Sequence, residues 1–361
     1  MPPRNHKNWL ATPKVEYISS EIYNNYNLFE LEQENIFSKV WVPICHMSEM
    51  PETGDFRTTT IAGVSVIAWN TGEEIRAYRN YGINQPAGTL AAPIVTSEPR
   101  LHCEVKHGQM VWVTLDPNPT MDVEQWTAGA FDCIADAIDT EELEVFHYHK
   151  AVIDTNYKLW HDTNSEFYHD FMHYFNRVSG FNDEYFARKN IPFDNGHVNV
   201  SSFTVNYEEY DGFEDRGELS FPNLPPNQWY MVDLFPGYNF NLRGSAYRSD
   251  IVTPIGPDKV LIEFRGYGLK NDTDEERKTR INHHNSIWGP FGRNLHEDLI
   301  GVAGQGTTMR QGTETRNILH GRHENSTIHD EVGMRHYYAK WGDFMGMNPS
   351  NPLQQFEIAA E

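Results

Sequence analysis

The 361-residue chain carries 51 acidic against 29 basic residues, a net charge of -22, which argues against nucleic-acid or anionic-membrane binding and for a solvated acidic surface. A hydrophobic fraction of 39% supplies a real core, but no run approaches the ~18 apolar residues of a membrane span, so one large or two smaller cytoplasmic domains are expected. Cys45, Cys103 and Cys133 include no C-x-x-C pair and exclude a disulfide framework, and the opening MPPRNHKNWL lacks the apolar core of a signal peptide.

Residues 28–41 have helical spacing, with Leu28, Leu31, Ile36, Phe37 and Val40 apolar. Residues 55–80 read as strands, broken at Ile61-Ala62-Gly63-Val64 and Asn70-Thr71-Gly72-Glu73. Residues 110–115 form another strand, stopped by Asp116-Pro117-Asn118-Pro119. These elements predict an all-β N-terminal domain up to about residue 120. Residues 121–150 are acidic and mixed in pattern. The segment 156–176, NYKLWHDTNSEFYHDFMHYFN, reads as a helix with Glu166, His169 and His173 on one face. Residues 197–270 are again strand-like, with turns at Phe235-Pro236-Gly237 and Pro254-Ile255-Gly256-Pro257-Asp258. Residues 272–287 look helical with an acidic start, Gly289-Pro290 interrupts, and 294–302 resume. The fold class is therefore α+β, its second domain (121–361) an antiparallel sheet with helices on one side.

Two imidazoles four residues apart on a helix can chelate one metal ion. A carboxylate from elsewhere would complete a two-His-one-carboxylate facial triad, the donor set of non-haem iron(II) oxygen chemistry. Glu297-Asp298, in a later helical segment, offers two candidates, and Phe167, Tyr168, Phe171, Tyr174 and Phe175 surround the histidines in sequence. Histidines at this spacing are also common as hydrogen-bonded or exposed side chains, and the residues alone leave that alternative open.

The stretch from Asn156-Tyr157-Lys158 to Glu166-Phe167-Tyr168-His169 resembles the N-W-K…E-N-x-x-E/D-x-Y-H signature of the Rieske non-haem iron ring-hydroxylating oxygenases, alpha (large) subunit. Phe37-Ser38-Lys39-Val40-Trp41 with Ser48-Glu49-Met50-Pro51, Leu234-Phe235-Pro236-Gly237, Pro254 to Asp258, and Trp288-Gly289-Pro290-Phe291-Gly292 before Glu297-Asp298 extend the resemblance over nearly the whole chain. It implies a Rieske-like β domain followed by a helix-grip (START-like) catalytic domain. It implies Fe(II) on His169, His173 and Asp298, with Glu297 the lesser choice of carboxylate. Glu166 matches the acidic residue that links the iron to an electron donor across a subunit boundary.

The N-terminal domain departs from the family. A Rieske [2Fe–2S] cluster needs two Cys and two His, in C-x-H and C-x-x-H pairs. Where the family reads N-x-C-x-H-R-G, this chain reads Asn80-Tyr81-Gly82-Ile83-Asn84-Gln85-Pro86, and the second pair is missing. The chain is thus expected to hold no [2Fe–2S] cluster, with Cys103, His107 and Cys45 structural. The implied activity is hydroxylation or demethylation of a small organic substrate, an aromatic one by the family's habit. Electrons would come from a Rieske-bearing alpha-type subunit or a ferredoxin or reductase, in a trimer or hetero-hexamer. Residues 197–290 would line the pocket, with His283, His284 or His296 as a candidate contact. The alternative is a non-catalytic structural or regulatory subunit of such an assembly.

Overall fold

The structure, a computed structural model, describes residues 17–80, 99–207, 219–311, 316–319 and 325–353. The chain enters through β1 (Tyr17–Ser19) and helix α1 (Tyr26–Glu32), capped by the Asn25 side chain, which accepts the N–H groups of Asn27 and Leu28. The expected helix over 28–41 is shorter at its end. It passes into a π turn at Gln33–Phe37, Ser38 closes it, and strand begins at residue 42.

Strands β2 (Val42–His46), β3 (Phe56–Ile61), β4 (Val64–Asn70), β5 (Ile75–Arg79), β6 (His102–Lys106) and β7 (Met110–Thr114) form two three-stranded antiparallel sheets, ordered β2-β7-β6 and β3-β4-β5. The β3–β4 hairpin turns at Ala62-Gly63, both with positive φ, the conformation that suits the right-handed twist of its strands.

A seven-stranded antiparallel sheet follows, ordered β8-β14-β13-β12-β11-β10-β9. Its strands are β8 (Leu143–Ile153), β9 (Asn190–Pro192), β10 (Val198–Thr204), β11 (Gln228–Leu234), β12 (Tyr238–Arg243), β13 (Ala246–Gly256) and β14 (Lys259–Leu269). Every residue of β12 is buried, so both faces of the central sheet are covered. On one side Trp112 of β7 meets Phe131 and Phe240 of β12, and Arg265 of β14 donates to Glu49 at 2.8 Å. The N-terminal sheet and the large sheet thus share one contiguous apolar core.

On the other side lie α2 (Tyr157–Ser165), α3 (Asp274–Ile287), α4 (Arg293–Met309) and α5 (Val332–Met345). Lys158 of α2 reaches Glu32 of α1 at 2.6 Å with both side chains fully buried, and the same carboxylate oxygen accepts Trp341 of α5 at 2.6 Å. One buried charge pair therefore ties three helices together. It needs both partners, since either charge left alone in the interior is costly. Thr273 and Glu276 cap the start of α3 reciprocally. Short strand β15 (Arg316–Ile318) returns to pair with β1.

The single helix expected over 156–176 is broken. α2 ends at Ser165, Glu166 is extended (φ -111°, ψ 140°), and a 3₁₀ turn occupies Tyr168–Met172. The cause is local. The Glu166 carboxylate accepts the N–H groups of Tyr168 (3.0 Å) and His169 (3.4 Å), which a continuing helix would have bonded to carbonyls one turn back.

Candidate metal centre

His169 lies within the 3₁₀ turn and His173 at its end, and α4 brings Glu297 and Asp298 against them. The close approach of α4 rests on Gly306, where an added Cβ would stand 2.8 Å from the Asp154 carbonyl oxygen, and on Thr155, which donates to the Val302 carbonyl at 2.9 Å. The two histidines are held alike. His169 Nδ1 meets Glu166 Oε1 at 2.5 Å, and His173 Nδ1 meets Glu297 Oε2 at 3.0 Å. A carboxylate on Nδ1 fixes the proton there and leaves the Nε2 lone pair to point away.

Both Nε2 atoms turn toward Asp298 Oδ1, at 3.0 Å from His173 and 3.6 Å from His169. That oxygen is buried and accepts no aligned hydrogen bond among the described residues. Asp170 is also near, its Oδ1 3.7 Å from His169 Nε2, and His169, Asp170 and His173 can offer donor atoms within 4.8 Å of one another. Asp170, however, is already committed: Asn176 donates to Oδ1 at 3.1 Å and Tyr185 to Oδ2 at 2.8 Å. Asp298 is the carboxylate with a lone pair to spare. Two imidazoles and one uncommitted carboxylate oxygen form a donor set that fits iron(II).

Charge at the site points the same way. Burial alone would push the His169 imidazole down, but Glu166 first, then Asp170 and Asp298, take it up to about 10. His173 is likewise raised against burial by Asp298, while burial of Asp298 is outweighed by His173 and its carboxyl stays below the usual range. The cluster has more negative charge than its own residues neutralise, the condition a bound divalent cation corrects.

Two spaces open onto the centre. A cavity of about 30 Å³ lies on the sheet side, walled by Trp160, Phe167, Trp229, Met231 and Trp288 and carrying Arg243 and Arg248. A wider crevice of about 490 Å³ lies on the surface side, with Glu166, His169 and Asp298 in its wall and Tyr168, Met172 and Met334 beside them.

Glu166, His169, His173 and Asp298 are therefore brought together as the sequence predicts, though by a broken helix rather than a helical face. Glu297 has a different place from the one expected of an alternative ligand: it orients His173 and also takes Arg293 at 3.2 Å. His283, His284 and His296 stay off the cavity. His283 meets Ser245 at 2.8 Å, His284 is buried against His147 with ring centroids 4.6 Å apart, and His296 is exposed. Arg243 and Arg248, inside the stretch expected to line the pocket, went unnamed there; two arginines in otherwise apolar strand text are the signal that could have found them.

In the N-terminal part, His107 stacks on Phe131 at 4.1 Å and meets Thr127 at 3.0 Å, and burial pushes the Cys103 thiol up to about 12. His107 is buried, Cys103 half-buried, and Cys45 fully buried in the core. Gly82 and Asn84 lie outside the described residues. No helix among the described residues is long and apolar enough to cross a membrane.

Residues 140–347 match the family model described as ring hydroxylating alpha subunit (catalytic domain). The methanesulfonate monooxygenase hydroxylase subunit alpha of Methylosulfonomonas methylovora is 55% identical, with the whole of both chains covered. That alignment runs over 415 positions against the 361 residues here, so the relative carries residues with no counterpart in this chain. The 2-aminobenzenesulfonate 2,3-dioxygenase subunit alpha of an Alcaligenes species is 33% identical over 92% of this chain and 94% of its own. Among solved structures, naphthalene 1,2-dioxygenase with indole bound in its active site has the same fold, with a TM-score of 0.72 at 14% identity over 97% of this chain and 96% of that one.

Proposed function

Since this chain belongs to the ring-hydroxylating alpha-subunit family and is an oxygenase component, we propose that it hydroxylates a small sulfonate beside iron(II) held by His169, His173 and Asp298. The observation that carries this reading is the convergence of two Nε2 atoms on an Asp298 oxygen that accepts no aligned hydrogen bond among the described residues. Iron(II) held there supplies the oxygen-activating chemistry of the family. The chain's own residues do the rest. Glu166 and Glu297 keep the Nδ1 protons in place and so aim both imidazoles inward. Trp160, Phe167, Trp229 and Trp288 make the cavity wall that keeps bulk water from the reacting carbon.

The substrate class is inferred from two relatives whose names carry a sulfonate, at 55% and 33% identity. The proposal follows the 55% identical relative, whose name carries the non-aromatic methanesulfonate, so the expectation of an aromatic substrate is not carried forward. Monooxygenation consumes the substrate, O2, two electrons and two protons, and yields the hydroxylated product and water. Residues 1–120 are proposed as a Rieske-like domain without its cluster and residues 121–361 as the helix-grip catalytic domain. Cys45 is packed, Cys103 half-packed and Cys133 exposed, residues 81–98 contain neither Cys nor His, and the 55% identical relative is longer. The electrons then enter from a Rieske-bearing alpha-type subunit, or a ferredoxin, docked over the crevice at Glu166. The part-exposed Tyr168 and Met172 there suit a protein contact. A trimer or hetero-hexamer pairing this chain with such a subunit is the assembly proposed.

The test is iron and acid-labile sulfide on anaerobically purified protein, followed by methanesulfonate-dependent O2 uptake with the electron-donating subunit added. About one iron per chain, no sulfide, and uptake matched by product are expected. Sulfide in the isolated chain would overturn the lost-cluster account. Failure to take up iron(II) would leave a structural subunit as the better description.

A further inference from the structure

Arg243 ends β12 and Arg248 is the third residue of β13, joined by the tight turn at Gly244-Ser245. Arg248 pairs in register with Asn241, and Asn241 lies two residues before Arg243, so all three project from one face of the hairpin, into the cavity that also holds His169 and His173. Both arginines are more than nine-tenths buried, at 3% and 5% exposure. Among the described residues neither is fully satisfied: Arg243 has no partner for Nε or Nη1 and no ion pair, and Arg248 sits 2.7 Å from Asp250 through Nη2 but has no partner for its Nε and Nη1. Both lie over indole rings, Arg243 at 4.2 Å from the Trp229 centroid and Arg248 at 4.7 Å from that of Trp288. A cation–π contact attracts a guanidinium without satisfying its N–H groups.

A buried guanidinium keeps its charge, and leaving it without a counter-charge or hydrogen bonds is costly. The N–H groups that Arg243 and Arg248 leave over among the described residues are donors that an anion in the cavity would accept.

We infer that Arg243 and Arg248 are the specificity-determining residues of this enzyme, a double fork that grips a sulfonate head and leaves the short alkyl end on the histidine side of the cavity. This rests on the sulfonate reading above and deepens it. A sulfonate presents three acceptor oxygens in a tetrahedral array and can use both forks at once; a carboxylate has two and fills one. Trp160, Trp229 and Trp288 wall the same cavity and would set how large a group the anchored head can carry.

The experiment is calorimetric titration of the anaerobic iron(II)-loaded protein with methanesulfonate, neutral dimethyl sulfone, acetate and benzenesulfonate. Methanesulfonate is expected to bind, and the other three to bind at least about tenfold more weakly. In Arg243→Gln and in Arg248→Gln, methanesulfonate should weaken by about tenfold or more while dimethyl sulfone stays the same; Arg243→Lys should fall between. Folded variants that bind methanesulfonate as the unaltered protein does would overturn the arginine assignment and leave the sulfonate reading standing. Equal binding of methanesulfonate and dimethyl sulfone by the unaltered protein would do the same, with no variant needed. If that protein binds no sulfonate but takes toluene or tetramethylammonium, the sulfonate reading itself falls.

Discussion

His46 and His107 of the N-terminal part and His169 and His173 of the catalytic part are all largely buried imidazoles, yet they are opposites. His46 spends Nε2 on the Gly108 carbonyl at 2.7 Å and Nδ1 on Ser48 at 2.8 Å, and His107 lies flat on Phe131. Burial pushes both down to about 4. His169 and His173 spend Nδ1 on carboxylates, keep Nε2 for a shared space, and are raised. A buried histidine alone therefore says little about function. What separates a site from a packed core is the surplus of carboxylate around the ring and the nitrogen left uncommitted.

The hardest test of that contrast is iron retention. His169→Ala and His173→Ala should each abolish stoichiometric iron, while His107→Ala should leave it at the level of the unaltered protein, all read by metal analysis after anaerobic loading. Loss of iron in the His107 variant would erase the distinction between the two pairs. Asp298→Ala should lose iron nearly as completely. Glu297→Ala should cost about 10- to 100-fold in affinity, the usual toll of removing a carboxylate behind a ligand. The reverse order would mean that Glu297 is the ligand and Asp298 its support.

Glu166 sharpens the comparison from the surface side. It lies in the crevice wall and bonds His169, so Glu166→Gln should keep iron bound but lower electron-coupled turnover by about 10- to 100-fold. Full coupled turnover in that variant would sink the relay. The packed histidines should show the opposite profile. His46→Ala removes a ring with two polar partners and strands the Gly108 carbonyl, so a loss of roughly 2–3 kcal/mol on denaturant unfolding is expected, with no change in iron.

The same physics governs what could be read from the residues. The strands at 55–80, the sheet text from 197 to 270 and the capped helix after Thr273 were legible because their patterns are local. β8 was not. Tyr148, Lys150 and Val152 face outward from a sheet edge, so the strand lacks a clean apolar alternation and hides in the acidic stretch before 150. α5 went unremarked although it supplies Trp341 to the buried Lys158–Glu32 pair, because that pairing spans most of the chain. The candidate ligands are marked by a motif, but the break at Glu166 is not. It depends on a side chain competing for backbone N–H groups, a choice that periodicity does not encode.

Carboxylates extend the contrast to its smallest measurable effect. Asp298 and Asp162 both line the crevice, and both feel burial first as an upward push. In Asp298 the imidazole of His173 reverses that push. At Asp162 the neighbouring His161 and two phenols, Tyr338 at 2.9 Å and Tyr23 at 3.2 Å, do not reverse it, and burial carries the carboxyl from 3.8 up to about 7. A carboxyl raised by folding contributes stability that is fully present below its unfolded value and is lost as pH climbs through the folded one. For Asp162 that window runs from about 3.8 to about 7. Asp162→Asn removes the titration, so its melting temperature relative to the unaltered protein should rise by a few degrees between pH 5 and pH 8, measured on metal-free protein to keep ligand titration out of the comparison. A difference that stays flat across that range would mean that His161 and the phenols together hold Asp162 ionised against burial, as His173 holds Asp298.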